Sequence, residues 1–460
     1  MQTVKEVLSK AKKIHFIGIG GSGMCPLAEI LNARGYHLQG SDNNESSIVD
    51  RIRNLGIEVM MGQKAENIKG ADMIVYSAAI QRGNPELEAA FESGIPTFKR
   101  AELFGEITRQ FDNCIGICGT HGKTTTTSMT TQMMLTAGLD PSAVIGGKLP
   151  LTNSYGVVGN SEHIVCEACE YVDTFLNLYP NVAVILNIDQ DHMEYFKTVD
   201  NLIHSFHTFA NMAKSCIIYN GDDERTLKAI EDITGKEMIS FGFNETNDYH
   251  PENIREINGA YFNFDVIYNG KNLGNVTLSV PGKHNILNAL AAIATSIYSG
   301  ASFKPCSDAL INFKGAGRRF EHLGTYKGID FIDDYAHHPA ELKVTLDAAM
   351  KMGYKNVWAI FQPFTFSRTS MLFDEFVEVL KIPDKCILTE IMGSREVNTY
   401  GVKSSQLAEK IPGAKTFETF HDISDYVLEK AEPGDLILTL GCGDVYKVAN
   451  MMISRIKANK

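Results

Sequence analysis

No apolar run in this 460-residue sequence approaches the roughly 20 residues that a membrane-spanning helix needs. The start, MQTVKEVLSKAKKIHF, reads as an amphipathic helix leading into a strand, not as a signal peptide. Its apolar stretch after Lys12 and Lys13 is short and enters a glycine loop. An excess of positive charge is also missing: 43 basic residues face 55 acidic ones, a formal net charge of −12. That argues against a nucleic-acid partner but not against nucleotides, since one site can be positive on an acidic protein. The nine cysteines are scattered and odd in number, which suits a reducing cytoplasm better than a disulfide scaffold. Cys166 and Cys169 make a C-x-x-C, but no second pair stands at zinc spacing. There is no internal repeat and no low-complexity tract. What is present is 44% apolar content in a chain too long for one core, so about three domains are expected.

Residues 116–127, GICGTHGKTTTT, are the strongest local signal. An apolar strand (114–118) precedes them, and a threonine-rich helix follows and ends near Gly138. Strand, glycine loop, Lys and Thr in that order cradle phosphate. Gly119 and Gly122 let the backbone approach an anion, and the helix start adds unpaired N–H groups. Lys123 adds charge, and the Thr124 hydroxyl can ligate Mg²⁺. The strict pattern would place a glycine at 117, where this chain has Ile117, so the match is to a G-T-H-G-K-T variant.

A second glycine loop lies upstream. Residues 14–23, IHFIGIGGSG, give a strand and then Gly18-x-Gly20-x-x-Gly23, with a helix after it. A second strand ends at Ser41-Asp42, an acid about 20 residues on, as in dinucleotide-binding folds. The strand 73–76 leads into a loop opening with Ser77, and strands and helices alternate to about 109. Further on, strands are expected at 163–166, running into Glu167, and at 182–186, running into Asn187-Ile188-Asp189-Gln190-Asp191-His192. Parallel strands of this kind end at a ligand crevice. There Glu167 can hold Mg²⁺ or be a solvated acid, and His192 can be a metal ligand or structural. His204 and His207 share a helix with Phe206 and Phe209, where packing or exposure is the better reading. A hairpin is expected to turn at Asn269-Gly270. From about Gly315 a third set of strands is expected at 330–333, 357–361, 385–389 and 436–440. Two of these end in polar clusters: Asp333 to Pro339, and the segment with Phe364 and Arg368. A capped helix start explains an Asp in the first cluster but not its two His.

Taken together, IHFIGIGGSGM, GTHGKTTT, the Glu167 segment, NIDQDH, PGKHNILNALAA, GAGRRFE, DDYAHHPAE and FQPFTFSRT resemble the Mur ligase family across the whole chain. The resemblance implies an α/β fold of three domains. These are a Rossmann-like UDP-sugar domain (1–109), a central P-loop ATPase domain with a mostly parallel sheet (110–315), and a Rossmann-like amino-acid domain (316–460). It implies that ATP phosphorylates the lactyl carboxylate of UDP-N-acetylmuramate. L-alanine then attacks the acyl phosphate, releasing ADP and phosphate, in the cytoplasmic synthesis of peptidoglycan precursors. Gly119, Thr120, His121, Gly122, Lys123, Thr124 and Thr125 would hold the ATP phosphates, with His121 also near the sugar. Thr124 and Glu167 would hold one Mg²⁺, and His192 a second. His284 and Asn288 fall on the adenine side, Asp334 at the ribose, and Arg319 reaches ATP from the third domain. Gly18, Gly20, Gly21, Ser22 and Gly23 would take the UDP diphosphate, with Asp42 and Ser77 near the uridine. Arg368 would bind the alanine carboxylate, with Tyr335, His337 and His338 around the reacting centre. Two positions depart from the family pattern. Phe364 stands where many members have His, which leaves Gly and Ser open as substrates, and Cys169 replaces an acid. Other readings are a relative that attaches a whole peptide to the same sugar, a nicotinamide oxidoreductase, and an ATPase that only moves a partner.

Overall fold

A computed structural model describes residues 2–394 and 396–458. The chain folds into two compact units. One holds the residues up to Glu252 together with Asp265–Val276 and Leu287–Phe313; the other holds Asn253–Phe264, Thr277–Ile286 and everything from Lys314. Among the described residues no helix is long and apolar enough to cross a membrane. All nine cysteines are free, and seven of them are buried.

The first unit carries two sheets. Strands β1 (Lys13–Ile17), β2 (His37–Asp42), β3 (Glu58–Met61), β4 (Met73–Tyr76) and β5 (Thr97–Lys99) form a parallel sheet in the order β3-β2-β1-β4-β5. The order reverses beside β1, so the glycine loop after β1 opens at the crevice where such folds bind ligands. The second sheet contains β6 (Asn113–Cys118), β7 (Ser142–Leu149), β8 (Ser154–Val157), β9 (His163–Glu167), β10 (Val182–Ile185), β11 (Cys216–Asn220) and β12 (Glu237–Phe241), ordered β12-β11-β10-β6-β9-β7-β8. Only β7 and β8 pair antiparallel in this stretch. Strands β6, β9 and β10 are apolar because helices cover both faces of a parallel sheet.

One continuous core joins the two sheets: Phe16 and Val75 from the first belong to the same cluster as Cys114 and Ile185 from the second. Glycines bring the layers together. A Cβ on Gly105 would stand 2.1 Å from the Asn177 carbonyl oxygen, and one on Gly156 would stand 2.7 Å from Pro26 Cβ. The Ser154 hydroxyl donates to buried Glu29 at 3.3 Å.

The helix Lys123–Thr136 is buried almost all round although it is rich in hydroxyls. Some of these hydroxyls are satisfied by bonding back to the preceding turn: Thr130 Oγ1 to Thr126 O at 2.8 Å and Thr131 Oγ1 to Thr127 O at 2.7 Å.

After β13 (Tyr249–Ile257), strands β14 (Tyr261–Tyr268) and β15 (Lys271–Thr277) are neighbours in one sheet, joined by the expected turn. Asn269 and Gly270 both have positive φ (48° and 74°), as a two-residue hairpin requires. The second unit is built on β16 (Glu321–Tyr326), β17 (Ile329–Asp334), β18 (Val357–Phe361), β19 (Lys385–Leu388), β20 (Lys415–Thr416) and β21 (Leu436–Leu440), ordered β16-β17-β21-β18-β19-β20. All its pairings are parallel except β16 with β17. The carboxyl ends of β17 and β18 lead into the two polar segments singled out in the sequence.

Candidate active site

The loop between β6 and its helix needs its glycines. Gly119 has φ 145° and Gly122 φ 85°. A Cβ on Gly119 would stand 2.9 Å from Leu186 Cβ, and one on Gly122 would stand 2.5 Å from Asn288 Oδ1. The segment after β10 clamps the same loop. Asn187 Oδ1 accepts the His121 N–H at 2.8 Å, and its Nδ2 donates to the His121 carbonyl at 3.0 Å. Thr120 Oγ1 accepts the Asp189 N–H at 2.8 Å and donates to the Asp189 carbonyl at 3.1 Å. Asp189 is itself paired with Arg225 at 2.8 Å.

Lys123 is folded onto the loop. Its Nζ donates to the carbonyls of Gly119 and Thr120 at 2.5 and 3.0 Å and lies 2.9–3.0 Å from both carboxylate oxygens of Glu170. Glu170 is 1% exposed. Burial alone would lower the lysine pKa, but the charge and hydrogen bond of Glu170, with Glu167 and Cys169 nearby, together outweigh it and hold the ammonium above its ordinary value. One turn away on the same strand end, Glu167 Oε1 accepts the Thr124 hydroxyl at 3.1 Å, and its Oε2 accepts the Gly146 N–H at 2.7 Å. Cys169 lies between the two acids, and burial pushes its thiol up to about 11, so this position is uncharged near neutral pH.

The first glycine loop is held from β2. The Gly18 and Ile19 amides donate to the Ser41 carbonyl at 2.9 and 3.0 Å. Asp42 accepts the Gly20 amide at 2.9 Å through one oxygen and the Asn44 amide at 3.0 Å through the other. The acid expected near the uridine therefore stiffens the loop. Ser77 lies against Gly18, its Cβ 3.5 Å from where a Gly18 Cβ would be. Ser22 is exposed, and Gly21 closes the turn onto the Gly18 carbonyl at 3.2 Å.

His192 adopts φ 55° at the start of the short helix Met193–Phe196 and packs on Tyr171 with ring centroids 4.6 Å apart. Its ring nitrogens lie 3.7 Å from Asp191 Oδ2 and 3.6 Å from Glu194 Oε1. Among the described residues no three or more His, Cys, Asp or Glu are grouped to hold a metal.

In the second unit the adjacent arginines at 318 and 319 divide their work. Arg318 pairs with buried Asp333 at 2.8 Å and donates to the Gly441 and Gly443 carbonyls. Arg319 lies over the Tyr335 ring at 5.0 Å. Asp334 accepts the amides of Phe320 and Ala336, each at 2.7 Å. Burial raises its carboxyl to about 6 against the pull of Arg319 and those amides. His337 Nδ1 faces the Tyr335 carbonyl at 3.0 Å and Glu341 at 3.4 Å. His338 is the N-cap of the helix Pro339–Lys351 and accepts the Ala340 N–H at 3.3 Å. Contrary to the expectation from the sequence, the helix cap accounts for one of the two histidines, His338, and for neither acid. Arg368 Nη1 donates to the Phe364 carbonyl at 3.1 Å, and Glu396 holds the start of its helix through Thr365 Oγ1 at 2.7 Å and the Ser367 N–H at 2.8 Å. His284 opens the helix His284–Tyr298, on which Asn288 lies one turn further.

Three family models match the chain in sequence order: Mur ligase family, catalytic domain, over residues 13–112; Mur ligase middle domain over 117–296; and Mur ligase, glutamate ligase domain, over 318–443. The UDP-N-acetylmuramate–L-alanine ligase of Clostridium acetobutylicum is 43% identical over 451 residues, which is 97% of this chain and 98% of that protein. The chain belongs to the Mur ligase family. A Mur ligase of the same description from Acetivibrio thermocellus is 42% identical, covering 97% of this chain and 96% of its own. Among solved structures, the UDP-N-acetylmuramate–alanine ligase of Thermotoga maritima matches with TM-score 0.84 and 27% identity, over 97% of this chain and 100% of that one. A murein peptide ligase from Psychrobacter arcticus matches with TM-score 0.77 and 25% identity, over 97% and 98%.

Of the residues expected in a Mur ligase site, the structure brings Lys123, Thr124 and Glu167 to one place, with His121 in the adjoining loop and Asn288 against Gly122. Sequence reading did not assign Glu170, Asn187 or Glu396. The first two lie within quoted motifs, so position at a strand end was available as a signal, but their partners were not.

Proposed function

We propose that this Mur ligase joins L-alanine to the lactyl carboxylate of UDP-N-acetylmuramate with ATP, through an acyl phosphate, in peptidoglycan precursor synthesis. One observation carries the reading: Lys123 and Thr124 face two strand-end carboxylates in the same compact unit as a second glycine loop. Two phosphorylated ligands are thereby accommodated, which neither a dehydrogenase nor a one-nucleotide ATPase needs. The UDP diphosphate belongs to Gly18–Gly23, with Ser77 beside it, and the ATP phosphates to Gly119–Thr125. His284, Asn288, Asp334 and Arg319 serve the rest of ATP, and Arg368 the alanine carboxylate, with Tyr335, His337 and His338 nearby. The domains implied are 1–109, 110–315 and 316–460.

A carboxylate resists amine attack because its leaving group would be oxide; phosphorylation replaces that with phosphate. Transfer brings two anions together, and Lys123 supplies preorganised positive charge where it develops. Magnesium fits the donors present, a hydroxyl at Thr124 and a carboxylate at Glu167, both hard oxygens. When bound it neutralises phosphate charge. His192, flanked by Asp191 and Glu194, is the proposed place for a second ion.

The test is ADP release with each substrate omitted in turn. We expect ADP only when ATP, UDP-N-acetylmuramate and L-alanine are all present. Release with a peptide but not with alanine would make the chain a murein-peptide ligase. Release without any amino acid would make it a plain ATPase.

A further inference from the structure

The first unit contains seven arginines, and six are matched. Arg51, Arg53, Arg82 and Arg225 are paired with carboxylates, Arg34 lies over Phe111, and Arg109 lies over Tyr179. Among the described residues the Arg100 side chain has no hydrogen-bond, ion-pair or ring partner. It is only part-exposed, and burial depresses its pKa, while the nearby Glu167 carboxylate acts against that shift. It is also the first residue of the helix Arg100–Thr108, at the positive end of the helix dipole. Desolvation and the helix dipole disfavour a cation at this spot, and the Glu167 carboxylate counters them without a direct ion pair.

Its position gives the reason. Lys99, the last residue of β5, is level with Tyr76 at the end of β4, so Arg100 emerges at the carboxyl edge of the first sheet, beside the loop that Ser77 opens. The guanidinium lies on Gly23: Nη1 is 3.3 Å, and Cζ and Cδ are 3.5 Å, from where a Gly23 Cβ would be. Arg100 therefore stands between the third glycine of the first loop and the Glu167 end of β9. A planar fork at this place is suited to phosphate oxygens.

We propose that Arg100 binds the diphosphate of the sugar nucleotide, closing over an anion whose other side rests on the Gly18–Gly23 amides. This rests on the assignment of that loop to a UDP sugar.

Calorimetric titration of wild type, Arg100→Lys and Arg100→Leu with UDP, with UDP-N-acetylmuramate and, separately, with ATP tests it, together with thermal melts of each free protein. UDP affinity should fall about 10- to 100-fold in Arg100→Leu, the scale of a lost charge-assisted contact, and less in Arg100→Lys. ATP affinity should hold. The free Arg100→Leu protein should melt at the wild-type temperature or above it, because a partly desolvated cation without an ion-pair partner has been removed. Unchanged UDP affinity in Arg100→Leu overturns the inference. So does a loss confined to UDP-N-acetylmuramate, which would assign Arg100 to the lactyl carboxylate, or a lowered melting temperature of the free variant, which would make it structural. If wild type itself binds no UDP, the assignment of the first loop fails and Arg100 falls with it. If wild type binds UDP and Arg100→Leu binds it equally, only the Arg100 inference fails.

Discussion

Replacing Lys123 by Met separates what the lysine does for the fold from what it does for catalysis. Met matches the stem of the side chain, so little cavity is created, but the Glu170 carboxylate, 1% exposed, loses its cation. Breaking a buried pair from one side typically costs about 3–5 kcal/mol, because the remaining charge is stranded. In a unit of this size that corresponds to a fall in melting temperature of roughly 10 °C. Turnover should drop about 100- to 1,000-fold, the scale of one lost contact to developing charge. The double variant Lys123→Met with Glu170→Gln removes the stranded charge as well. It should regain most of the melting temperature and none of the turnover. Thermal melts without ligands, run beside ADP-release assays, read both quantities. A Lys123→Met protein that melts like wild type would refute the buried-pair argument. A double variant no more stable than the single one would do the same. Near-normal turnover in either would remove Lys123 from phosphoryl transfer.

Gly146→Ala should act on Glu167 from behind, since the new Cβ would stand 2.5 Å from both of its carboxylate oxygens. We expect a higher magnesium requirement and up to about a 100-fold loss of turnover, as for misplacement by about 1 Å; an unchanged magnesium titration would deny Glu167 its ligand role. Asp334→Asn tests the raised carboxyl of the second unit. Its protonated form is favoured by folding, so its contribution is complete below the ordinary carboxylate range and is lost as pH rises through about 6. The stability of wild type relative to Asp334→Asn should therefore decline between pH 4 and pH 7 in urea denaturation, and a pH-independent difference would contradict this.

The two glycine loops and most strand positions were legible because their signals are contiguous: an apolar run, a glycine where the chain turns, a helix after it. The strands 73–76, 357–361 and 436–440 lie where the sequence put them. What connects those elements was not legible. The Lys123–Glu170 pair spans 47 residues and the Asn187 clamp on His121 spans 66, and nothing local says which cation a strand-end acid will face. Asp42 and Asp334 show the same limit from the other side. Both were read as ribose contacts or neighbours, yet each has both carboxylate oxygens on backbone amides. A short acid after a strand satisfies a loop as readily as it meets a sugar.

The packing of the first two sheets into one core has a consequence for how a two-substrate reaction is organised. Gly105 against Asn177, Gly156 against Pro26, and the Ser154–Glu29 bond leave no room for one glycine loop to slide past the other. The spacing between the loop after β1 and the loop after β6 is therefore a manufactured dimension, cut when the polypeptide folds and not when its ligands arrive. Much of the ordering entropy that would otherwise oppose the meeting of two phosphorylated molecules is met in advance. A substitution at any of these buried glycines would then act as a change of gauge: each nucleotide could still find its own loop, while the reacting atoms would no longer meet.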